Sequence, residues 1–233
     1  MCLQYDAARM VDYVNSTAPS YRLANPGNIV AEKAMRYSDT EVASKGVEIF
    51  GTKPALPSEI ATAAHLLNSV PDGLTPLQVA RHLEASTERN QDGELYTAEW
   101  KVRSNPMITL FFAATDYGTG GLTDQVPWCS AFVNWCLWRA GYKRSNKASS
   151  GSFRCFGKEA QPPKAGDIAV FKDRGEDAPC AGHGHVAFWL SQSAGFVSVL
   201  GGNQGNAINV SNYPAREAPH LSHWLVNVRE TQK

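Results

Sequence analysis

The first hundred residues carry apolar positions at helical spacing. The segment PSEIATAAHLLNSV, residues 57–70, has apolar residues three and four positions apart and begins with Pro57, a residue favoured at helix starts. The segment LTPLQVARHLEAS, residues 74–86, repeats this pattern, with Thr75 as its N-terminal cap. We therefore expect residues 1–103 to form a mainly helical N-terminal region, either an extension or an insertion.

Two further helices are predicted before the pattern changes. The segment NPMITLFFAATDYG, residues 105–118, opens with the capping residue Asn105. The segment VPWCSAFVNWCLWRAG, residues 126–141, is aromatic and apolar enough to lie in a core. Pro127 precedes its helical body, and Gly141 stands where a C-terminal cap belongs.

Beyond Gly141 the chain becomes rich in β-branched and aromatic runs separated by Gly, Ser and Asn, which predicts strands joined by short loops. The four runs are DIAVFK (167–172), HVAFWL (185–190), GFVSVLGG (195–202) and NAINVSNYP (206–214). Helices followed by strands indicate the α+β class, with an antiparallel sheet packed on the helix that carries Cys129. We place residues 190 and 196 opposite each other across the SQSAG turn.

Composition and charge exclude several classes of function. Of the 233 residues, 43% are hydrophobic, and 22 Lys and Arg balance 22 Asp and Glu, so the basic surplus of a nucleic-acid binder is absent. The N-terminus has no basic start followed by an apolar run, and no run approaches the length of a membrane span. We expect a protein made in the cytoplasm without a signal peptide and without membrane insertion.

The chain has five cysteines, so at least one has no intramolecular partner. Free thiols are the default for a cytoplasmic product. A zinc site built from Cys155, Cys180, His183 and His185 is disfavoured because CAGHGH lacks the usual paired ligand spacing. We expect no metal and no cofactor.

Cys129 stands at the head of a predicted helix, where the positive end of the helix dipole stabilises a thiolate. Its alternative role is a buried structural thiol, which is the common fate of free cysteine. The histidine best placed to accept its proton is His185, which opens an apolar strand, although His183 competes for the role. Asn203, near the end of the following strand, could hold the imidazole in one tautomer.

These blocks resemble a known family. PWCSAFVNWCLWRAG, KAGDIAVF, GHVAFW and VLGGNQGN, in this order, resemble the papain-like CHAP-type and NlpC-type cysteine hydrolases of bacterial cell walls. The resemblance implies a hydrolase core over residues 104–233, with Cys129 as nucleophile, His185 as base and then acid, and Asn203 as orienting residue. Many CHAP-type proteins have a Glu near that third position, and LGGNQG has none, so Gln204 is the second choice.

The resemblance also implies a setting. The expected substrate is a peptidoglycan stem peptide, contacted by Trp128, Trp189 and Gln204. We expect a toxin delivered by type VI secretion into the periplasm of a target bacterium, with a cognate immunity protein and a component of the secretion apparatus as partners. The alternatives are a phage-type endolysin, a papain-like enzyme that modifies protein amides as a deamidase or transglutaminase does, and a non-catalytic binding module.

Overall fold

The computed structural model describes residues 53–117, 123–218 and 221–233. The predicted helical region 1–103 is therefore described only from Lys53 onward, and Cys2 and the predicted helix end at Gly118 lie outside the described residues. Within the described ranges, no helix is both long enough and apolar enough to cross a bilayer.

The predicted helices form where the caps and periods place them. The helices are α1 (Pro57–Asn68), α2 (Pro76–Glu84), α3 (Pro106–Phe111) and α4 (Cys129–Arg139), and 3-10 turns cover Phe112–Ala114 and Ser150–Cys155. The Thr75 side chain accepts from the backbone N–H of Gln78, and that of Asn105 accepts from Met107, as capping residues do. Both predicted caps are confirmed.

The α+β class is confirmed, with five antiparallel strands in the order β4-β3-β2-β1-β5. The strands are β1 (Ile168–Asp173), β2 (Gly184–Ser193), β3 (Phe196–Gly201), β4 (Asn209–Pro214) and β5 (His223–Arg229). The sequence analysis missed β5, although Trp224 and Val228, its two buried residues, follow the two-residue period of a strand. The edge strands β4 and β5 also contact each other, so the sheet is strongly curved.

The hairpin between β2 and β3 has a different register from the predicted one. Ser193 pairs with Phe196 across a two-residue turn, and the ladder slips at a bulge between Trp189 and Ser191. Pairing residue 190 with residue 196 is therefore wrong. The turn consists only of Ala194 and Gly195, whose positive φ values of 48° and 82° suit a two-residue hairpin turn, so the strands extend further than the SQSAG segment indicates.

The sheet packs between two hydrophobic clusters. The larger one contains α4, including the buried thiol of Cys136, together with residues of α1 and α2 such as Ile60 and Val79. Residues 53–103 thus share a core with the sequence that follows them, while the predicted boundary at residue 103 stays a prediction. The smaller cluster covers the opposite face, around Phe171 and Trp189.

A disulfide joins Cys155 to Cys180, so the expectation of free thiols is wrong for this pair. Arg154 brings the partners together, because its guanidinium donates to the carbonyl oxygens of Ala178, Ala181 and His183. This network fixes the loop before β2 against the second 3-10 turn. In the three described ranges no group of three or more His, Cys, Asp or Glu side chains could hold a metal ion.

Candidate active site

Cys129 is the first residue of α4, and its side chain is 6% exposed. The backbone N–H groups of Val186, Ser130 and Cys129 itself lie near the thiol and lower its pKa. Val186 lies past the last β2–β3 pair, which joins Phe188 to Leu200, so its N–H has no ladder partner on that side. The structure thus places the sulfur against the strand residue that follows His185.

The His185 ring is buried against two aromatic side chains that also contact each other. Its centroid lies 5.9 Å from that of Phe171 and 5.0 Å from that of Tyr213. Its Nε2 lies 3.0 Å from Oε1 of Gln204, which is itself buried. The Gln204 amide nitrogen donates to the backbone oxygen of Asn209 at 2.5 Å, so the amide oxygen is the atom that faces the ring. His185 therefore donates from Nε2 and keeps the lone pair of Nδ1 available for a proton.

Asn203 does not occupy the orienting position, so the assignment of that position to Asn203 is corrected to Gln204. With its amide oriented to satisfy its neighbours, Asn203 donates to Oε1 of Glu99 and accepts from the backbone N–H of Trp128, both at 3.2 Å. The reason is local: β3 ends at Gly201, and Asn203 has a φ of 58°, so strand alternation no longer fixes side-chain directions.

Of the three predicted substrate contacts, none is open to a substrate in this structure. Trp128 is fully buried, stacks on Phe111 and donates its indole N–H to Glu99. Trp189 packs in the smaller cluster, four residues and about 13 Å along β2 from His185. Gln204 faces the imidazole. The apolar surface of both indoles is buried in cores, and their positions beside the site in sequence do not place them on the groove.

The competing residue His183 lies in the exposed loop before β2. Its backbone N–H donates to Glu176, and its carbonyl accepts from Arg154. These contacts use the main chain of His183 to hold the loop. His185, rather than His183, directly precedes Val186, the strand residue that the Cys129 thiol faces.

Burial is the largest influence on the pKa values of Cys129 and His185. It raises the pKa of the Cys129 thiol to about 11, opposed by the three N–H groups, and the negative charge of Asp173 raises it further. Burial also lowers the pKa of His185 to about 4, with an opposing contribution from Gln204 and a further lowering by His223. At neutral pH the pair is thiol and neutral imidazole, so the expected preformed thiolate is corrected: desolvation outweighs the helix terminus.

Comparison with known families bears on this geometry. Residues 121–203 match the family model of the CHAP domain. The CHAP match contains Cys129 and His185 and ends at Asn203, one residue before Gln204. It indicates a hydrolase of the peptidoglycan amidase or endopeptidase type. Searches of curated proteins and of solved structures found no match.

Two groups that shape the candidate site were not predicted from the sequence. Glu99 supports Trp128 and Asn203, and burial raises the pKa of its carboxyl group. Tyr213 stacks on His185, and burial, with the nearby Cys129, raises the pKa of its phenol to about 12. Glu99 lies outside every quoted motif, and Tyr213 reaches the site only because the curved sheet brings β4 over β2.

Proposed function

We propose that the chain hydrolyses an amide bond of the peptidoglycan stem peptide, with Cys129 as nucleophile and His185 as base and then acid. Gln204 is the positioning residue. One observation supports the proposal: the thiol at the start of α4 lies against Val186, the residue after a histidine whose Nε2 faces a buried amide oxygen. Nδ1 of His185 is then the proposed proton acceptor. The CHAP match supports peptidoglycan as the substrate.

The proposed reaction begins as Sγ of Cys129 attacks the carbonyl carbon and Nδ1 of His185 takes the thiol proton. Negative charge moves to the carbonyl oxygen, where the N–H of Cys129 at the open end of α4 can donate to it. The C–N bond then breaks, and His185 gives its proton to the leaving amine. Water, deprotonated by His185, hydrolyses the thioester and restores the thiol.

The neutral resting pair determines when the proton moves. With the thiol pKa at about 11 and the imidazole pKa at about 4, an ion pair is disfavoured in the closed site. Proton transfer is therefore coupled to attack on the bound carbonyl, because the developing charge then passes to the substrate oxygen rather than staying on sulfur.

Purified peptidoglycan provides the test. Cys129→Ala should abolish release of soluble fragments, whereas Cys136→Ala, a matched change of a second buried thiol in the same helix, should retain activity. Mass spectrometry of the fragments identifies the bond that is cut. Full activity of Cys129→Ala would contradict the proposal, and labelling of Cys129 by a thiol probe without wall cleavage would favour an enzyme acting on protein amides.

We propose the periplasm or cell wall of a target bacterium as the site of action, with delivery by type VI secretion. The Cys155–Cys180 disulfide supports action in an oxidising compartment, since such bonds persist outside the cytoplasm. Expression directed to the periplasm should lyse a bacterial host, and cytoplasmic expression should not. Protection by a small protein encoded beside this gene would support the toxin, whereas a neighbouring holin gene would favour the endolysin.

A further inference from the structure

A cavity of about 620 Å³ opens at the strand ends beside the proposed site. Its lining residues are Asp173, Arg174, Leu221, Ser222 and His223. None of them belongs to the proposed catalytic set. The proposed mechanism therefore gives this cavity no role.

Strand register places this cavity on the His185 side of the sheet. Phe171 pairs with His185, and Asp173, two residues further along β1, pairs with His223. Alternate residues of a strand point to the same face of the sheet, and so do paired residues of neighbouring strands. The two residues of β1 and their two partners therefore lie on one face. The Tyr213 ring bridges them, with its centroid 5.0 Å from that of His185 and 5.2 Å from that of His223.

The distance from the reacting groups suits a neighbouring part of the same substrate. Two residues along a strand correspond to about 7 Å, which separates Asp173 from the residue paired with His185. The field of the Asp173 carboxylate also reaches the Cys129 sulfur. The cavity therefore adjoins His185 on the same face of the sheet.

The charged groups of the cavity are only partly used. Within the described ranges, no hydrogen bond or ion pair engages the Asp173 carboxylate, and the adjacent Lys172 ammonium lies 3.6 Å from Asp177 instead. Arg174 donates from Nε and Nη2 to the carbonyl oxygens of Leu221 and Ala218. These bonds hold the guanidinium against the cavity wall and leave its Nη1 donors available.

An anionic acceptor beside a cationic donor is the complement of an ammonium and a carboxylate carried on one carbon. We propose that the cavity binds the zwitterionic end of a diamino acid side chain in the stem peptide, with the ammonium at Asp173 and the carboxylate at Arg174. This inference rests on the proposed function. It makes Asp173 and Arg174 determinants of which peptidoglycan type the protein recognises.

Binding measured without turnover tests the inference. The Cys129→Ala protein is titrated calorimetrically with three N-acetylated stem tripeptides, ending in meso-diaminopimelate, in its side-chain N-acetylated form, or in L-lysine. Acetylation of the N-terminus leaves the side chain as the only ammonium source. We expect the zwitterionic peptide to bind about tenfold more tightly than the others, which is the effect of one charge-assisted hydrogen bond.

Adding Asp173→Asn should remove the preference over the side-chain N-acetylated peptide, while Asp177→Asn, an equal charge change at a fully exposed loop position, should preserve it. Equal affinities for the three peptides, or a preference over the side-chain N-acetylated peptide that survives Asp173→Asn, would overturn the inference. Digestion of sacculi of both types by the unmodified protein is measured separately. Failure to cut either type, with the binding preference intact, would refute the proposed function alone.

Discussion

Replacing Gln204 is the sharpest test of the site, because sequence reasoning placed Asn203 in the orienting role. In the structure, Oε1 of Gln204 lies 3.0 Å from Nε2 of His185, and both residues are buried. During attack His185 becomes a cation, so this hydrogen bond is charge-assisted in the transition state and is worth about 1.5–3 kcal/mol. At about 1.4 kcal/mol per tenfold, Gln204→Ala should lower kcat/KM by about tenfold to about 150-fold.

A second variant separates positioning from packing. Gln204→Glu keeps an acceptor beside His185 and adds a negative charge, which raises the pKa of the imidazole above about 4. Activity needs the neutral imidazole, so the acid limb of the kcat/KM profile should move to higher pH. A change in packing alone would leave that limb in place.

The assay is release of soluble fragments from purified peptidoglycan over a range of pH, with thermal unfolding as the check on folding. Asn203→Ala is the matched control, since that side chain contacts Glu99 and Trp128 rather than the imidazole. A larger loss of activity in Asn203→Ala than in Gln204→Ala would refute the reasoning. So would an acid limb that Gln204→Glu leaves unchanged.

Three further predictions concern protonation, the disulfide and the half-buried carboxyl group of Glu99. The rate of Cys129 alkylation should be slow at pH 7 and rise as the pH approaches the thiol pKa of about 11. The rate of hydrolysis should fall only as the pH drops through about 4, where His185 gains a proton. Fast alkylation at pH 7 would contradict the neutral thiol–imidazole pair. The Cys155–Cys180 bond spans 25 residues, so its reduction should lower the free energy of unfolding by about 3 kcal/mol and Tm by about 6–12 °C. Calorimetry measures both changes. The variant with Ser at both positions is the control, because a reductant should leave its unfolding unchanged. Glu99→Ala should lower the free energy of unfolding in denaturant by about 1–3 kcal/mol, because it leaves the buried indole N–H of Trp128 unpaired. Glu99→Gln retains an acceptor and should lower it less. Equal losses in the two variants would count against a stabilising role of this hydrogen bond.

The elements that sequence predicted are those encoded by neighbouring residues. Thr75 and Asn105 cap their own helices, and Cys129 begins α4 because Pro127 and the apolar run after it favour a helix there. These features depend on contacts within a few positions, so periodicity and capping chemistry suffice to find them. The last strand carries a local pattern as well, since Trp224 and Val228 are buried at strand spacing.

The arrangement of the candidate site depends on the whole fold and cannot be predicted from the local sequence pattern alone. The two-residue turn at Ala194 and Gly195 sets the hairpin register. The positive φ of Asn203 turns that side chain away from the imidazole and leaves Gln204 to face it. The expected thiolate failed for a related reason: a helix terminus is visible in sequence, but the burial that raises the pKa of Cys129 depends on the whole fold.

By itself, the sequence determined the class of fold, the helix that begins at Cys129 and the choice of His185, at a strand start, as the candidate partner of this cysteine. Only the tertiary structure decided that Gln204 holds His185, that Cys155 meets Cys180, and that Asp173 lies on the same sheet face as His185. The physical reason is separation along the chain. Helix caps and strand periods are set by adjacent residues, whereas these contacts join distant segments through the curvature and register of the sheet.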